Sequence, residues 1–215
     1  MSFTRFLRLG IEDCIPDGTT LWLFREALGK AGLIEKLFKR FSRHLEAKGY
    51  IARGGQMVDA TIVPVPKQRN SREENEAVKA GKTPKEWQKN PAKNRQKDKD
   101  ARWTKKHGKS FYGYKNHVNA DAKHKLIRHY EVTDASVHDS RKFYGLLNKA
   151  NTSADVYADS AYRSAATEAK LKMRGLRSRI HQRASRNHAL SKAQENDNHQ
   201  KRSYGEWIAT DALAE

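Results

Sequence analysis

The sequence predicts a mixed α/β fold preceded by a helical segment, and three observations carry that prediction. Residues 19–50 place apolar side chains at helical spacing. "SFYGYKNHVNAD" and "KLIRHYEVTDAS" are two β-rich runs joined by a short turn, which reads as an antiparallel hairpin. Beyond them, helix-like and strand-like segments alternate, and that alternation requires parallel pairing beside the hairpin with helices covering the sheet.

Taken in order, residues 1–55 form the N-terminal helical segment. Leu21, Phe24 and Leu28 share one helical stripe and Leu33, Leu37, Phe41 and Leu45 a second. Thr19 or Thr20 is positioned to cap the first helix, and "GKAG" breaks it before the second. Two short helices with a Gly turn and basic outer faces suit either a DNA-reading helix-turn-helix or a helical cap on the main domain. The cap is favoured, because no helix shows a set of base-reading residues.

The main domain spans 56–202 and opens with a strand over 56–66, ended by Pro64 and Pro66. The next stretch, 67–109, is lysine- and arginine-rich, holds Pro84, Pro91, Trp87 and Trp103, and has almost no core-forming residues. Such a segment buries too little apolar area to offset its ordering entropy, so a mobile basic insertion is expected. Its cations at Lys93, Arg95, Lys97, Lys99, Arg102, Lys105, Lys106 and Lys109 suit phosphate contact, with tryptophans for base stacking. The plainer alternative is a solvated insertion whose tryptophans dock on the domain. After the hairpin come a helix in "VHDSRKFYGLLNKAN" capped by Asp139 or Ser140, the strand "DVYADSAY", a helix ending at Gly175 and a short strand "LRSRIHQR".

Composition narrows the partner. The 215 residues carry 43 Lys and Arg against 25 Asp and Glu, a net charge of +18 with pI near 10.0, and a mean hydropathy of -0.95. Such an excess attracts polyanions, and nucleic acid is the default partner. One cysteine, Cys14, excludes a disulfide framework and a cysteine-based zinc site. There is no apolar run long enough for a membrane span and no signal-peptide pattern, so a cytoplasmic protein, nucleoid-associated when bound to DNA, is expected.

Against this charge balance, two apolar strands each carry one acid: Asp59 in "MVDATIVPVP" and Asp159 in "VYADSAYRS". Reactive groups of open α/β sheets gather at strand ends, so these acids are candidates for a shared site. Adjacent carboxylates repel unless a cation sits between them, and a hard dication such as Mg²⁺ takes oxygen ligands. That pair would serve phosphodiester chemistry. Equally, Asp159 can be a turn or helix cap.

"EAKGYIARGGQMVDATIVPVPKQRN", "GKSFYGYKNHVNADAKHKLIRHYEVTDASVHDS" and "VYADSAYRS" resemble DDE transposases of the bacterial insertion-sequence five type. The resemblance runs from about Ile15 to Lys201. It implies an RNase H-like mixed sheet, antiparallel strands followed by alternating helices and strands, in which Asp59 and Asp159 are the first two metal-binding acids. It further implies cleavage and strand transfer at terminal inverted repeats with Mg²⁺, for which Mn²⁺ can substitute. The implied partners are double-stranded DNA, both element ends and target, and further copies of the chain assembled on it. Tyr162 and Arg163 follow the second acid, and His117 and His138 read as supporting rather than ligating residues.

In the family a third acid, a Glu, lies on a late helix. Glu206 is in about that place, but the tail at 203–215 departs from the family pattern, as a truncated or frameshifted gene would make it. Glu168 reads as a surface residue at a helix start and Glu195 as solvated. A working third ligand at Glu206 gives a transposase. Its failure gives a DNA-binding remnant that occupies element ends or inhibits the full-length enzyme.

Overall fold

The computed structural model describes residues 8, 10, 12–106, 108–184 and 189–210, the side chains of 202–210 excepted. The chain divides into two compact units, Met1–Ile51 and Ala52–Glu215.

Among the described residues the first unit holds two helices, α1 (Gly18–Lys30) and α2 (Ile34–Ala47). The cap of α1 is Asp17, whose carboxylate accepts from the Thr20 N–H at 2.6 Å. Thr19 and Thr20, expected as caps, already lie inside the helix, and an acid three residues ahead reaches the orphan donor better. Gly32, at φ 62°, supplies the left-handed break. Neither helix buries a residue: Leu21, Trp22, Phe24, Ile34, Leu37 and Phe41 remain 45% to 61% exposed.

The second unit is built on a six-stranded sheet. β1 (Gln56–Pro64) is followed by the insertion, with α3 (Arg72–Lys79), α4 (Lys85–Lys89) and α5 (Pro91–Gln96). Then come β2 (Arg102–Lys106), β3 (Lys109–Asp121) and β4 (Ile127–Asp134). A 3₁₀ turn at Asp139–Arg141 leads into the one-turn helix α6 (Phe143–Leu146). β5 (Asp155–Ala158), a second 3₁₀ turn (Ser160–Tyr162), α7 (Ala165–Met173), β6 (Arg177–Ser178) and α8 (Lys192–Thr210) follow. The expected helix after the hairpin is therefore a 3₁₀ turn plus one α turn, and His138, not Asp139 or Ser140, caps it. Among the described residues no helix is long and apolar enough to cross a membrane.

Neighbouring strands run β4-β3-β1-β5-β6, with β2 added on β3. β3 pairs antiparallel with β1, β2 and β4, whereas β5 is parallel to β1 and β6 to β5. With β2 as an addition on β3, three antiparallel strands (β1, β3, β4) followed by two parallel ones (β5, β6) is the RNase H-like arrangement. Alternation along β1 sends Val58 and Met57 to opposite faces. Val58 joins Phe143, Leu146, Val156, Tyr162, Leu171 and Ile180 in the main core, and Met57 meets Ala120, Ala122 and Tyr157 on the other side. A buried amide pair fixes the centre of the sheet: Asn119 Nδ2 donates to Gln56 Oε1 at 2.7 Å and to the Leu146 carbonyl at 2.8 Å.

The insertion differs from the mobile loop expected of it. Ser71 and Glu74 form a capping box on α3, and the same Glu74 accepts from the Trp87 indole at 2.6 Å and from Lys93 at 3.0 Å. Trp87 is fully buried. A polar hub thus replaces the apolar core that the composition lacks. The Ser71 N–H, then Lys93 and Trp87, hold the Glu74 carboxyl at about 2, against an ordinary 4.5. A depressed carboxylate stabilises fully above its unfolded pKa, and that stability is lost as pH falls from about 4.5 toward 2. Glu74→Ala should cost about 3 kcal/mol, since it strands a buried indole N–H and an ammonium. Hydrogen exchange checks it: insertion amides should lose protection in the variant, and in the wild type near pH 3. Unchanged protection in both would remove Glu74 as the hub.

Candidate active site

The parallel register of β1 and β5 pairs Gln56 with Val156, Met57 with Tyr157 and Val58 with Ala158. The next residues, Asp59 and Asp159, therefore leave the ladder side by side. Asp159 follows the last residue of β5, as expected of a strand-end acid. Asp59 instead lies inside β1, which continues against β3 to Pro64 after β5 has stopped. It is the end of the parallel ladder, not of the strand, that places it.

Each carboxylate is oriented by a neighbouring backbone N–H: Asp59 Oδ1 accepts from Ala60 at 2.7 Å and Asp159 Oδ1 from Ser160 at 2.5 Å. Asp159 is exposed and caps the following 3₁₀ turn, so the structural role expected of a strand-end Asp is also present. Asp59 is half-buried. Burial raises its pKa most; the Ala60 bond and Lys106 lower it, and Asp159 and Asp139 raise it further.

Asp139 is the acid that sequence reasoning missed. Its turn packs on the turn that follows Asp159, and Lys115 Nζ lies 2.9 Å from its Oδ1 while donating to the Val137 carbonyl at 2.8 Å. Tyr162, the last residue of that second turn, has a buried hydroxyl with no hydrogen-bond partner among the described residues. Burial, then Asp139, Asp59 and Asp159, push that phenol well above its ordinary range. His117, opposite Ala60 on β3, is fully buried with Nε2 2.9 Å from Thr133 Oγ1. Burial lowers its pKa, which favours the neutral ring. The one sequence cue for Asp139 was "VHDS", where a short helix cap was the simpler reading.

A cavity of about 330 Å³ opens beside Asp159, lined also by Ser160, His181, Glu195, Asn198 and His199. One side of it is the first half of α8, a helix that packs against β1 and β5. Glu195, expected only to be solvated, is exposed but borders the space next to Asp159. Glu168 is engaged elsewhere, accepting from Ser178 Oγ at 2.9 Å with Arg163 at 3.7 Å. Glu206 lies on the backbone of α8, and its side chain is outside the described residues. Among the described residues no three His, Cys, Asp or Glu side chains converge tightly enough to hold a metal ion.

A family model described as a transposase DDE domain matches residues 52–209. The chain belongs to the DDE transposase family. No solved structure matches it. Members of the family are transposition enzymes acting on DNA, and their DDE domains generally use divalent metal ions.

The carboxylate pair of this DDE domain fits such an ion on its own chemistry. Two hard oxygen donors stand in register, one of them desolvated and pressed by two other acids, with the Ala60 N–H and Lys106 offsetting them. Mg²⁺ binds through one or two carboxylates and keeps several waters, so two acids suffice to begin a site.

The structure sorts the eight insertion cations expected to contact phosphate into two groups. Lys93 is held by Glu74, Lys97 donates to Asn70 Oδ1 at 2.6 Å and lies over the Trp87 ring, and Lys99 reaches Thr83 Oγ1 at 3.3 Å. Arg102 donates to the carbonyls of Lys99, Ala101 and Val78. Arg95, Lys105, Lys106 and Lys109 are exposed, the last three on the β2-β3 hairpin. Replacing Lys105, Lys106 and Lys109 together by Gln should flatten the salt dependence of DNA binding by about 3 in log-log slope, at roughly 0.9 per phosphate neutralised. An unchanged slope would mean the hairpin does not contact the backbone.

Proposed function

We propose that this transposase is of the insertion-sequence five type and cuts and joins DNA at the terminal inverted repeats of its element. The observation that carries the reading is the register of β1 and β5, which sets Asp59 beside Asp159. The two carboxylates would hold Mg²⁺, with Mn²⁺ as a substitute; when bound, such ions activate the attacking oxygen and stabilise the leaving oxygen of a phosphodiester. The chain's own contribution is positioning. The Ala60 and Ser160 N–H groups aim the carboxylates, half-burial of Asp59 limits water around it, and Lys105, Lys106 and Lys109 hold the DNA backbone.

The third carboxylate of this reading comes from α8. Glu195 and Glu206 are eleven residues apart, about 16 Å along a helix, so at most one shares a site with Asp159. We assign the role to Glu206, with Glu195 as the rival because it lines the cavity. Further copies of the chain would assemble on the bound ends.

The test is a labelled duplex carrying the element end, incubated with the full chain and Mg²⁺. Nicking at the end, absent on a scrambled duplex, is expected, and Glu206→Gln should remove it while Glu195→Gln does not. End-specific binding without nicking would replace this reading with that of a non-catalytic DNA-binding protein.

A further inference from the structure

A second cavity, about 430 Å³, lies away from the carboxylates, where the insertion meets the β2-β3 hairpin. Its size falls within the range of ligand pockets, roughly 300–1,000 Å³. Trp103 and Tyr112 are cross-strand partners on its wall, with ring centroids 5.2 Å apart. Tyr112 is buried, whereas Trp103 stays 49% exposed, unlike the fully buried Trp87. A large aromatic ring left half in solvent beside a cavity is available for stacking.

Beside Val78, Ala101 and Ser136, the rest of the lining supplies Arg102, Lys79, Asn70 and Asn75, with no Asp or Glu among the described lining residues. Asn70 is already engaged, donating to Asn75 Oδ1 at 3.3 Å and accepting from Lys97. Asn75 is exposed, so its amide can meet the edge of a planar ligand. Lys67 Nζ sits 5.9 Å from the Trp103 ring centroid. An exposed cation-π contact is worth about 0.5–1 kcal/mol, and stacking of a base on an aromatic side chain about 1–3 kcal/mol. A base can therefore displace the ammonium, which is then free to pair with that nucleotide's phosphate.

We propose that this cavity takes one unstacked base of bound DNA, with Trp103 as the stacking platform and Lys67 and Lys79 around its phosphate. The site rests on the reading that the insertion binds DNA. Its position supports a working role: β2, which carries Trp103, pairs with β3, and β3 pairs with β1, the strand that holds Asp59. A base held here would fix the DNA strand relative to the carboxylates.

The experiment uses the full chain in Mg²⁺-free buffer with two duplexes, one fully paired and one carrying a single extrahelical 2-aminopurine. The wild type should bind the bulged duplex more tightly and quench the 2-aminopurine fluorescence. Trp103→Ala should lower affinity for the bulged duplex by roughly 5- to 150-fold, the stacking range above, while the paired duplex changes less than twofold. Trp103→Phe, which keeps an aromatic face, should retain most of the preference. Equal weakening toward both duplexes, or no quenching by the wild type, overturns the base site and leaves backbone binding intact. Failure to bind either duplex overturns the DNA reading of the insertion and this site with it.

Discussion

Asp59→Asn will reduce Mg²⁺-dependent cleavage by about a thousandfold or more and, in metal-free buffer near neutral pH, will make the protein more stable than the wild type. The two effects share one cause. The Asp59 carboxyl is held above its ordinary 3.8 chiefly by burial, with Asp159 and Asp139 adding to it. Folding therefore favours its protonated form. Below the unfolded pKa the group is neutral in both states and contributes no difference. As pH rises through the raised folded pKa, the native state has to hold a disfavoured charge, and stability falls. Asn carries no such charge. The melting temperatures of variant and wild type should thus separate above about pH 4, and Mg²⁺ should raise that of the wild type alone. Melting curves from pH 4 to 8, with and without Mg²⁺, give the answer. Coincident curves at every pH would mean that Asp59 is neither strained by its neighbours nor relieved by a cation.

Gly113→Ala should be the most damaging single-methyl change in the sheet. Gly113 sits at φ 151°, opposite Pro64 on β1 and Arg102 on β2, and its carbonyl accepts from the Ala135 N–H at 3.1 Å. A Cβ there would meet the Val63 carbonyl oxygen at 2.2 Å and Pro64 Cα at 3.1 Å. Those contacts are backbone, so no rotamer change relieves them. Strain at such a φ and overpacking each cost about 1–3 kcal/mol, and together they should exceed about 3 kcal/mol. Urea denaturation should show this as a lower midpoint, with loss of the β1-β3 pairing that carries Asp59. A midpoint within error of the wild type would show that the strands can separate at Gly113 without cost.

Much of this architecture is legible in the chain because its signals are local. The β-rich runs around Tyr112 and Tyr130 set the hairpin, and Val156 to Ala158 followed directly by Asp159 marks a buried strand ending in an acid. Asp17 was missed because two threonines stood closer to the apolar run. The order of the insertion was hidden for a different reason. Glu74, Trp87 and Lys93 are 13 and 19 residues apart, and their contact is polar, so no periodicity announces it. Asp139 became visible only when two 3₁₀ turns were packed together. The adjacency of Asp59 and Asp159 depends on where β5 stops along β1, a tertiary fact that no window of sequence contains.

The central claim is that Asp59 and Asp159 together bind a divalent cation, and Mn²⁺ tests it without requiring turnover. Electron paramagnetic resonance of Mn²⁺ titrated into the DNA-free protein should show saturable loss of the free-ion signal. That loss should disappear in Asp59→Asn and Asp159→Asn alike, and added Mg²⁺ should reverse it in the wild type. Equal Mn²⁺ uptake by wild type and both variants, or none by the wild type, would contradict the assignment of these two carboxylates as the metal site.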